Sequence, residues 1–413
     1  MVVTMTDKNK KSAPQIRFRG FTDDWEQRKL GDVAEFSKGN GYSKGDLISA
    51  GTPIILYGRL YTKYETEIND VDTFVDMREN SVLSQGGEVI VPSSGETAED
   101  ISRASVVAKA GVVLGGDLNI VKPNTTIYPP FLAVTISNGN QQKELSRRAQ
   151  GKSVVHISNS DLKDVILQLP CLEEQTQVGS FFRTLDELLT ANQRKVDRLK
   201  QMKSAYLQQL FSQTGERVPR VRFNGFSGDW ESVSLKKLLV ERNTLQLPSA
   251  EFPLVSFTVE NGVTPKSDRY NREFLVKEDA KKYKFTKADD IVYNPANLKF
   301  GAISRNTYGN AVFSPIYVTF DVTSIVEPAF VELILTSPNF IKRSLVFQEG
   351  TVYERMAVKP EDLLSMDICL PDIPEQAIIS NFFTVITEQI SRHSKILNQL
   401  KRLKTSYLQK MFI

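Results

Sequence analysis

The sequence is built from two copies of one pattern. Residues 17–26 (RFRGFTDDWE) recur 205 positions later as residues 222–231 (RFNGFSGDWE), and these segments contain both tryptophans of the 413-residue chain. Self-similarity at a fixed spacing is the sequence signature of a duplicated structural unit. We therefore expect two copies of one domain.

Two more motifs repeat toward the end of each half, now 201 positions apart. A Leu-Pro pair followed by Glu-Gln and Phe-Phe occurs at Leu169-Pro170, Glu174-Gln175 and Phe181-Phe182, and again at Leu370-Pro371, Glu375-Gln376 and Phe382-Phe383. Each half then closes on an LKxxKxxYLQxxF segment, at 199–211 and 400–412. The middles differ most, and an Ile-Ser-Arg tripeptide at 101–103 and 303–305 is a faint echo between them. Because the opening and closing motifs are shared and the middles differ, we expect two domains of one kind that recognise two different ligands.

Length and composition bound the class of protein. At about 150 residues per domain the chain holds two to three domains, and its 40% hydrophobic and 24% charged residues are ordinary for a soluble globular protein. The net charge is only +3, so any nucleic-acid surface must come from local clustering. The two cysteines, Cys171 and Cys369, form neither a disulfide framework nor a zinc motif. With no apolar leader and no long apolar run, we expect a cytoplasmic protein that is neither secreted nor membrane-spanning.

The middle of each half is expected to be mixed α/β. Short β-rich runs punctuated by Gly, Asn and Pro are typical of strands and turns. They lie at 52–57, 88–91, 251–258 and 311–320.

Each half is expected to end in a long helix. Residues 173–211 lack proline, and apolar residues recur there and in the second copy with a period close to 3.5, which predicts a coiled-coil seam. The predicted seam residues are Leu185, Leu189, Val196, Leu199, Tyr206, Ile386, Ile390, Leu397, Leu400 and Tyr407. Such a helix spans roughly 58 Å. Because the first helix leads directly into the second domain, we expect the second helix to fold back antiparallel, giving two heads on a pseudo-two-fold spacer.

Polar and basic residues mark these helices. Asn192 and His393, then Lys203 and Lys404, interrupt the seam at matched positions; they either fix the register or are tolerated near the end of the seam. Residues 192–211 carry a net charge of +4 and residues 391–413 a net charge of +6. A basic stripe suits a DNA phosphate backbone, although solvated Lys-rich helix faces give the same pattern.

The duplicated RFxGFxxxWE segments, the Leu-Pro to Glu-Gln turns and the LKxxKxxYLQxxF endings together resemble the specificity subunit of type I restriction-modification systems, over residues 14–413. The resemblance implies two target-recognition domains that each read one half of a bipartite DNA sequence, and a helical spacer that sets the gap. It also implies partners: two methylation subunits, which bind S-adenosylmethionine and methylate adenine, and restriction subunits that use ATP and magnesium.

On this pattern the chain divides into five segments. They are a flexible tail (1–13), a first target-recognition domain (14–172), a first connector helix (173–212), a second target-recognition domain (213–372) and a second connector helix (373–413).

Clusters of basic, aromatic and amide side chains are the candidate DNA contacts. Arginine suits guanine and asparagine suits adenine, whereas lysine suits phosphate. The candidates are Arg59, Tyr61, Lys63, Tyr64 and Arg103 in the first half, and Lys266, Arg269, Tyr270, Arg272, Asn297, Lys299 and Arg305 in the second. For partner subunits, the candidates are Phe181, Phe182, Phe382 and Phe383, which otherwise pack in the cores.

Signatures of nucleotide binding are incomplete. Gly151-Lys152-Ser153 resembles the end of a phosphate-binding loop, but Ser146 stands where that motif needs glycine. Gly39, Gly41 and Gly45 miss the GxGxxG spacing by one residue and are interpreted as turn glycines.

Signatures of catalysis are equally weak. The segment Asn294-Pro295-Ala296-Asn297 is similar to the Asn-Pro-Pro-aromatic motif of adenine methyltransferases, yet it lacks the second proline and the aromatic residue. The two histidines, His156 and His393, are far apart in sequence. We expect a non-catalytic chain that itself binds no metal or cofactor. The alternatives are a coiled-coil scaffold with two α/β domains that binds proteins, and a fragment of a self-contained restriction or methylation enzyme.

Overall fold

The structure is a computed structural model. It describes residues 3–5, 13–151, 154–212, 215–259, 261–265, 282–348 and 356–412. Within it the chain forms two compact units: the first comprises Met1–Lys195 together with His393–Ile413, and the second comprises Val196–Arg392.

The first unit is mixed α/β. Its strands are β1 (Val3–Met5), β2 (Ile16–Phe18), β3 (Glu26–Lys29), β4 (Ala34–Lys38), β5 (Thr52–Ile55), β6 (Glu67–Ile68), β7 (Phe74–Val75), β8 (Glu88–Pro92), β9 (Ser94–Gly95), β10 (Ser105–Val107), β11 (Val113–Leu114), β12 (Leu118–Pro123), β13 (Val155–His156) and β14 (Ile166–Leu169). Its short helices are α1 (Leu30–Val33), α2 (Arg59–Thr62), α3 (Ala98–Ile101), α4 (Pro129–Ile136), α5 (Gly139–Arg148) and α6 (Asn159–Lys163). The main sheet has the order β4-β12-β8-β10-β6, and a second has the order β11-β5-β7.

A long helix, α7 (Leu172–Gln209), follows β14 and continues into the second unit. The strands of the second unit are β15 (Glu231–Ser234), β16 (Leu239–Glu241), β17 (Leu245–Gln246), β18 (Val255–Thr258), β19 (Gly262–Pro265), β20 (Tyr283–Thr286), β21 (Ile291–Tyr293), β22 (Ile303–Arg305), β23 (Ala311–Phe313), β24 (Val318–Val322) and β25 (Asp367–Leu370). Its helices are α8 (Leu235–Leu238), α9 (Pro328–Leu335), α10 (Pro338–Ser344), α11 (Pro360–Leu364) and the start of the long helix α12 (Ile373–Met411). Its sheets have the orders β16-β24-β21-β22 and β17-β20-β23.

The repeat in the sequence is a repeat of structure. The strand order β4-β12-β8-β10 of the first unit returns as β16-β24-β21-β22, and all these pairs are antiparallel. The pair β3–β14 returns as β15–β25, and the helix pair α4–α5 as α9–α10. The mixed α/β class, the two related halves and the two long helices are therefore confirmed.

The repeated motifs have a structural explanation, a latch between distant parts of each unit. Arg17 donates two hydrogen bonds to the Glu174 carboxylate, at 2.9 and 2.6 Å, and Arg222 does the same to Glu375, at 2.7 and 2.8 Å. The adjacent Gln175 accepts from the Tyr128 backbone N–H, one residue before α4 (3.0 Å). Its counterpart in the second unit makes the same bond one residue before α9. The opening motif and the Glu-Gln turn thus fix the start of each long helix against its unit.

Each core is completed by the end of the other half's long helix. In the first unit the ring of Phe412, just beyond α12, lies 6.5 Å from Trp25, 6.0 Å from Phe131 and 5.8 Å from Phe182, between ring centroids. In the second unit Phe211, just beyond α7, makes the equivalent contacts with Trp230, Phe330 and Phe383. Each compact unit is therefore composite, because its final aromatic residue comes from the other sequence repeat.

The long helices run antiparallel within each unit. In the first, Phe181 of α7 contacts Tyr407 of α12 with ring centroids 5.0 Å apart. In the second, Tyr206 of α7 contacts Phe382 of α12, also at 5.0 Å. Of the ten predicted seam residues, Leu185, Val196, Leu199, Ile386 and Leu397 are buried and the other five are half-buried.

The matched polar residues of the helices meet polar partners. His393 Nδ1 lies 2.9 Å from Asn192 Oδ1 in the first unit. There the Lys404 ammonium also contacts the Asp186 carboxylate, whereas in the second unit Lys203 Nζ donates to the Thr387 hydroxyl at 2.9 Å.

The β-rich run at 311–320 forms two strands separated by a turn. Strand β23 ends at Phe313, and β24 begins at Val318. Pro315 has no N–H for a sheet ladder, and the Tyr317 N–H instead donates to the Ser314 carbonyl across the turn (3.2 Å).

Candidate nucleic-acid interface

Strand register gathers several loops at one end of the main sheet of the first unit. Strand β12 pairs antiparallel with both β4 and β8, with Asn119 opposite Lys38 and Leu118 opposite Pro92. The ends of β4 and β8 therefore meet the start of β12, and the start of β10 lies at the same end. We call this end the loop edge; in the first unit it comprises residues 39–46, 93–104 and 115–117.

The second unit has an equivalent loop edge at residues 294–302 and 314–317, because Glu241 at the end of β16 pairs with Phe320 and Tyr293 at the end of β21 pairs with Val318. The first of these segments contains a 3₁₀ turn, Pro295–Phe300. Two of the predicted DNA contacts, Asn297 and Lys299, lie on this turn and are exposed.

An exposed aromatic side chain accompanies them. Phe300 is 64% exposed, and Lys299 Nζ lies 5.0 Å from its ring centroid. The turn is closed by Gly301, whose φ of 83° lies in the left-handed region that glycine adopts without strain. An amide, an ammonium and an aromatic ring are thus offered together at the loop edge of the second unit.

Arg305 lies at the opposite end of its strand. It pairs with Ile291 at the start of β21, away from the loop edge. Its guanidinium donates to Asp289 (2.6 Å) and Glu332 (3.1 Å). The structure therefore separates it from Asn297 and gives its charge two internal partners.

The echoed Ile-Ser-Arg tripeptides are not structurally equivalent. Val106 of β10 stands opposite Val89 of β8, and Arg305 of β22 stands opposite Ile291 of β21, which is the counterpart of Val89. Arg305 thus corresponds to Val106, whereas Arg103 precedes β10 at the loop edge. The interpretation of the tripeptide as a repeat is corrected on this ground.

In the first unit Arg59 is an internal structural residue rather than a free base reader. Its side chain is 8% exposed and donates to Asp72 (2.6 Å), to Glu65 (2.8 Å) and to a backbone carbonyl. Lys63, half exposed, donates to Asp72 as well (2.8 Å). Hydrogen bonds from Lys63 and then from Arg59 hold the pKa of Asp72 at about 2. This carboxylate is ionised at neutral pH and keeps both cations in place.

Tyr61, on α2, contacts the loop edge. Its hydroxyl donates to the Ser94 carbonyl at 2.6 Å, and burial raises its pKa. The exposed Tyr57 packs edge-on against it, with ring centroids 6.1 Å apart.

Tyr64 and Arg103 line one small cleft of about 90 Å³, together with Lys404. Arg103 donates to Asp100 at 2.7 Å, and Lys404 Nζ lies 6.0 Å from the Tyr64 ring centroid. The structure therefore brings two residues of the predicted set, Tyr64 and Arg103, to one place.

Four predicted contacts, Lys266, Arg269, Tyr270 and Arg272, lie outside the described residues.

The phenylalanine pairs are divided by burial. Phe182 is 0% exposed and Phe383 1% exposed, so both are core residues with no surface left for a partner. Phe181 and Phe382 are half-buried between their opening motif and the opposing long helix, against Phe18 (5.8 Å) and Phe223 (5.7 Å) respectively. The expectation of partner binding at Phe182 and Phe383 is corrected accordingly.

Most basic residues of the long helices face solvent. The exposed ones are Arg194, Lys195, Arg198, Lys200, Arg392, Lys395, Lys401, Arg402 and Lys410. Lys203 is an exception, because its side chain is half-buried. This burial lowers the pKa of Lys203.

Sequence reasoning missed one contact-rich arginine, Arg78, whose guanidinium lies over the ring of Tyr42 in the loop that follows β4, with Cζ 4.5 Å from the ring centroid. The stretch 39–45 was interpreted from the sequence only as turn glycines.

In the described part of the chain every helix is too short or too polar to cross a lipid bilayer. Among the same residues, His, Cys, Asp and Glu side chains form no group of three or more that is placed to hold a metal ion.

Known proteins share these features. Residues 22–201 match the type I restriction modification DNA specificity domain. The type I restriction enzyme MjaVIII specificity subunit of Methanocaldococcus jannaschii is 20% identical, over 98% of this chain and 96% of the relative. The putative type I restriction enzyme MjaX specificity subunit of the same organism is 21% identical, over 98% and 96%. The crystal structure of a type I restriction-modification S subunit from M. genitalium superposes with a TM-score of 0.65 at 12% identity, covering 97% of this chain and 99% of that one.

The duplicated α/β halves and paired long helices match that S-subunit fold, and both specificity-subunit relatives align with nearly the whole chain. The chain is therefore similar to the specificity subunits of type I restriction-modification systems: residues 22–201 match the DNA specificity domain, and the duplicated halves have the fold of an S subunit.

Proposed function

We propose that the chain is the specificity subunit of a type I restriction-modification system, that each of its units reads one part of a bipartite DNA target, and that the long helices set the gap between the parts. The observation that carries this proposal is the duplicated sheet with two chemically different loop edges. The first offers Arg103 and Tyr61, and the second offers Asn297 and Lys299. Two copies of one sheet that carry different loop residues suit the recognition of two different base sequences in DNA.

The solvent-exposed basic faces of α7 and α12 would give such a protein its affinity for the phosphate backbone of DNA. Each phosphate that a Lys or Arg neutralises releases counterions, so affinity falls steeply with salt. We expect the long helices to supply this sequence-independent term and the loop edges to supply the choice of bases. Because the proposed target is genomic DNA, we propose that the protein acts in the cytoplasm.

The partners we propose are two methylation subunits, which carry S-adenosylmethionine and methylate adenine, and restriction subunits that use ATP and magnesium. Exposed apolar side chains support two copies of one partner because they occur at repeat-equivalent positions. Leu172 and Ile373, which begin α7 and α12, are 46% and 45% exposed, and Met202 and Leu403 are 38% and 43% exposed. Equivalent patches suit docking of the same partner twice.

The test is the methylation pattern of genomic DNA from cells that express this chain with its cognate methylation subunit, read by single-molecule sequencing against cells that lack this chain. We expect a new methylated-adenine motif in two short halves separated by an unspecified gap. A contiguous motif would contradict the bipartite reading. The absence of any new motif, with both proteins expressed and associated, would overturn the proposal and favour a protein-binding scaffold.

A further inference from the structure

The glycine-rich stretch at 39–45 forms a tightly packed part of the loop edge. The Gly41 carbonyl accepts a hydrogen bond from the Gly116 N–H at 2.6 Å, and a Cβ on Gly39 would lie 1.9 Å from the Gly115 carbonyl oxygen. Next in the chain, Tyr42 has φ = 56°, in the left-handed region that bulky side chains rarely adopt. Strained residues of this kind concentrate at functional sites, where surrounding contacts hold them.

The contacts that hold Tyr42 also place Arg78. The Tyr42 hydroxyl lies 2.5 Å from Ser81 Oγ and accepts a hydrogen bond from the Arg78 backbone N–H at 2.8 Å. The Arg78 guanidinium stacks on the Tyr42 ring and donates from Nη2 to Asp46 Oδ1. Asp46 is fixed in turn by the Ser43 N–H (2.7 Å), and hydrogen bonds from Ser43, then the Arg78 guanidinium, hold its pKa below the ordinary value.

The fixed guanidinium is nevertheless accessible. The side chain of Arg78 is 55% exposed and that of Asp46 is 28% exposed. A side chain already held in one orientation loses less conformational entropy when it binds a ligand. In the major groove, arginine donates to guanine O6 and N7, and a carboxylate accepts from cytosine N4. A fixed Arg–Asp pair therefore offers both the donors and the acceptor that one G·C base pair requires.

We infer that Arg78 reads a G·C base pair in the part of the target recognised by the first unit, with Tyr42 and Asp46 as its positioning residues. This inference rests on the proposed function. The neighbouring charges argue for a base rather than a phosphate, since the exposed carboxylates of Asp76 and Glu79 flank Arg78 along the chain. The cation nearest to Asp46 in the sequence is the exposed Lys44. Carboxylates beside an arginine repel a phosphate but tolerate an uncharged base edge.

The experiment compares four forms of the complete chain, each expressed with its methylation subunit: wild type, Arg78→Ala, Arg78→Lys and the control Arg28→Ala. Arg28 lies on β3 and is 52% exposed, so it matches Arg78 in charge and exposure. Methylated motifs are read by single-molecule sequencing, and discrimination is measured by competition between duplexes that differ at one base pair. We expect both Arg78 variants to lose discrimination roughly 5- to 150-fold at one G·C position of one half of the motif. The other half and the control should be unchanged.

The lysine variant separates base reading from phosphate contact, because it keeps the charge and loses the planar fork. Full discrimination in Arg78→Lys would show a phosphate contact and overturn the inference. An unchanged motif in both variants would also overturn it, while the two-part wild-type motif would leave the proposed function standing. If the wild type itself gives no two-part motif, the proposed function fails and the inference fails with it.

Folding is checked on the same proteins. We expect thermal midpoints within about 2 °C of wild type, because exposed side chains contribute little to stability. Equal loss at both halves together with a lowered midpoint would assign Arg78 a structural role. Asp46→Asn, which keeps the shape and removes the charge of the positioning residue, should weaken discrimination at the same base pair as Arg78→Ala; weakening elsewhere would contradict the assigned geometry.

Discussion

Arg17 and Glu174 form a buried, two-pronged ion pair across 157 residues of chain, with Nη2 to Oε2 at 2.6 Å. The hydrogen bonds that Arg17 donates to the Glu174 carboxylate raise the pKa of Arg17. The pair joins the opening motif to the first turn of α7, and Arg222 and Glu375 repeat it at the start of α12. Two of the most obvious repeats in the sequence are therefore the two sides of one contact.

Removing one side of this contact should be costly. Arg17 is 3% exposed, so Glu174→Ala leaves a buried charge without its partner, and we expect a loss of about 3–5 kcal/mol in the free energy of unfolding. Glu375→Ala should cost less, because Arg222 is 16% exposed and reaches water. Urea unfolding followed by circular dichroism measures both. The control is Glu173→Ala, an exposed neighbour; equal losses for Glu173 and Glu174 would contradict the latch.

The close approach of α7 to α4 predicts an asymmetry between the repeats. A Cβ on Gly179 would lie 2.8 Å from the Tyr128 ring and 2.9 Å from the Phe131 nitrogen. Gly179→Ala should therefore destabilise the first unit by about 1–3 kcal/mol, although alanine is the better helix former. Ser380 occupies the equivalent position of α12, and its hydroxyl donates to a carbonyl of its own helix. Ser380→Ala should change the unfolding free energy by under about 1 kcal/mol; a larger loss there than at Gly179 would refute the packing argument.

Acid should release the Arg59–Lys63–Asp72 cluster. The folded pKa of Asp72, about 2, lies below the ordinary value for an aspartate. Its contribution to stability is therefore fully present above about pH 5 and is lost as the pH falls toward 2. The difference in urea midpoint between wild type and Asp72→Asn should be constant from neutral pH to about pH 5 and shrink below it. A difference that grows on acidification would contradict the sign.

Replacing a buried and an exposed side chain of the long helices should change the free energy of unfolding by very different amounts. Phe182→Ala removes a fully buried ring that contacts Phe412, and should cost about 3–5 kcal/mol in unfolding free energy. Val385→Ser changes a side chain of α12 that is 49% exposed and should leave stability within about 0.5 kcal/mol. Thermal unfolding measures both changes. Near-equal midpoints for the two variants would show that Phe182 is not part of the core.

The frame of the fold could be predicted from sequence because its signals are local or duplicated. The apolar period of the long helices needs no tertiary information, and α7 begins at Leu172, one residue from the expected start. Chain duplication likewise revealed the two related halves.

The candidate site could be predicted only in part, because its chemistry depends on partners that are distant in sequence. Nothing in the letters around Arg59 shows that Asp72 neutralises it. Arg78 escaped notice since its signal is the left-handed backbone of Tyr42, 36 residues earlier. Asn297 and Lys299 could be proposed from the sequence because they follow the Asn294-Pro295 pair, and the structure places both on one exposed turn, where their role stays a prediction.

The composite cores determine where this chain and its relatives can be recombined. A chimera joined at the repeat boundary, near residue 212, would pack Phe211 of one parent against Trp230 and Phe330 of the other. A graft that instead exchanges Val196–Arg392 as a block, with both junctions inside the long helices, takes each aromatic cluster from a single parent. The chimera junctions that preserve core packing therefore lie within α7 and α12, at the boundaries of the compact units, and not where the sequence repeat begins again.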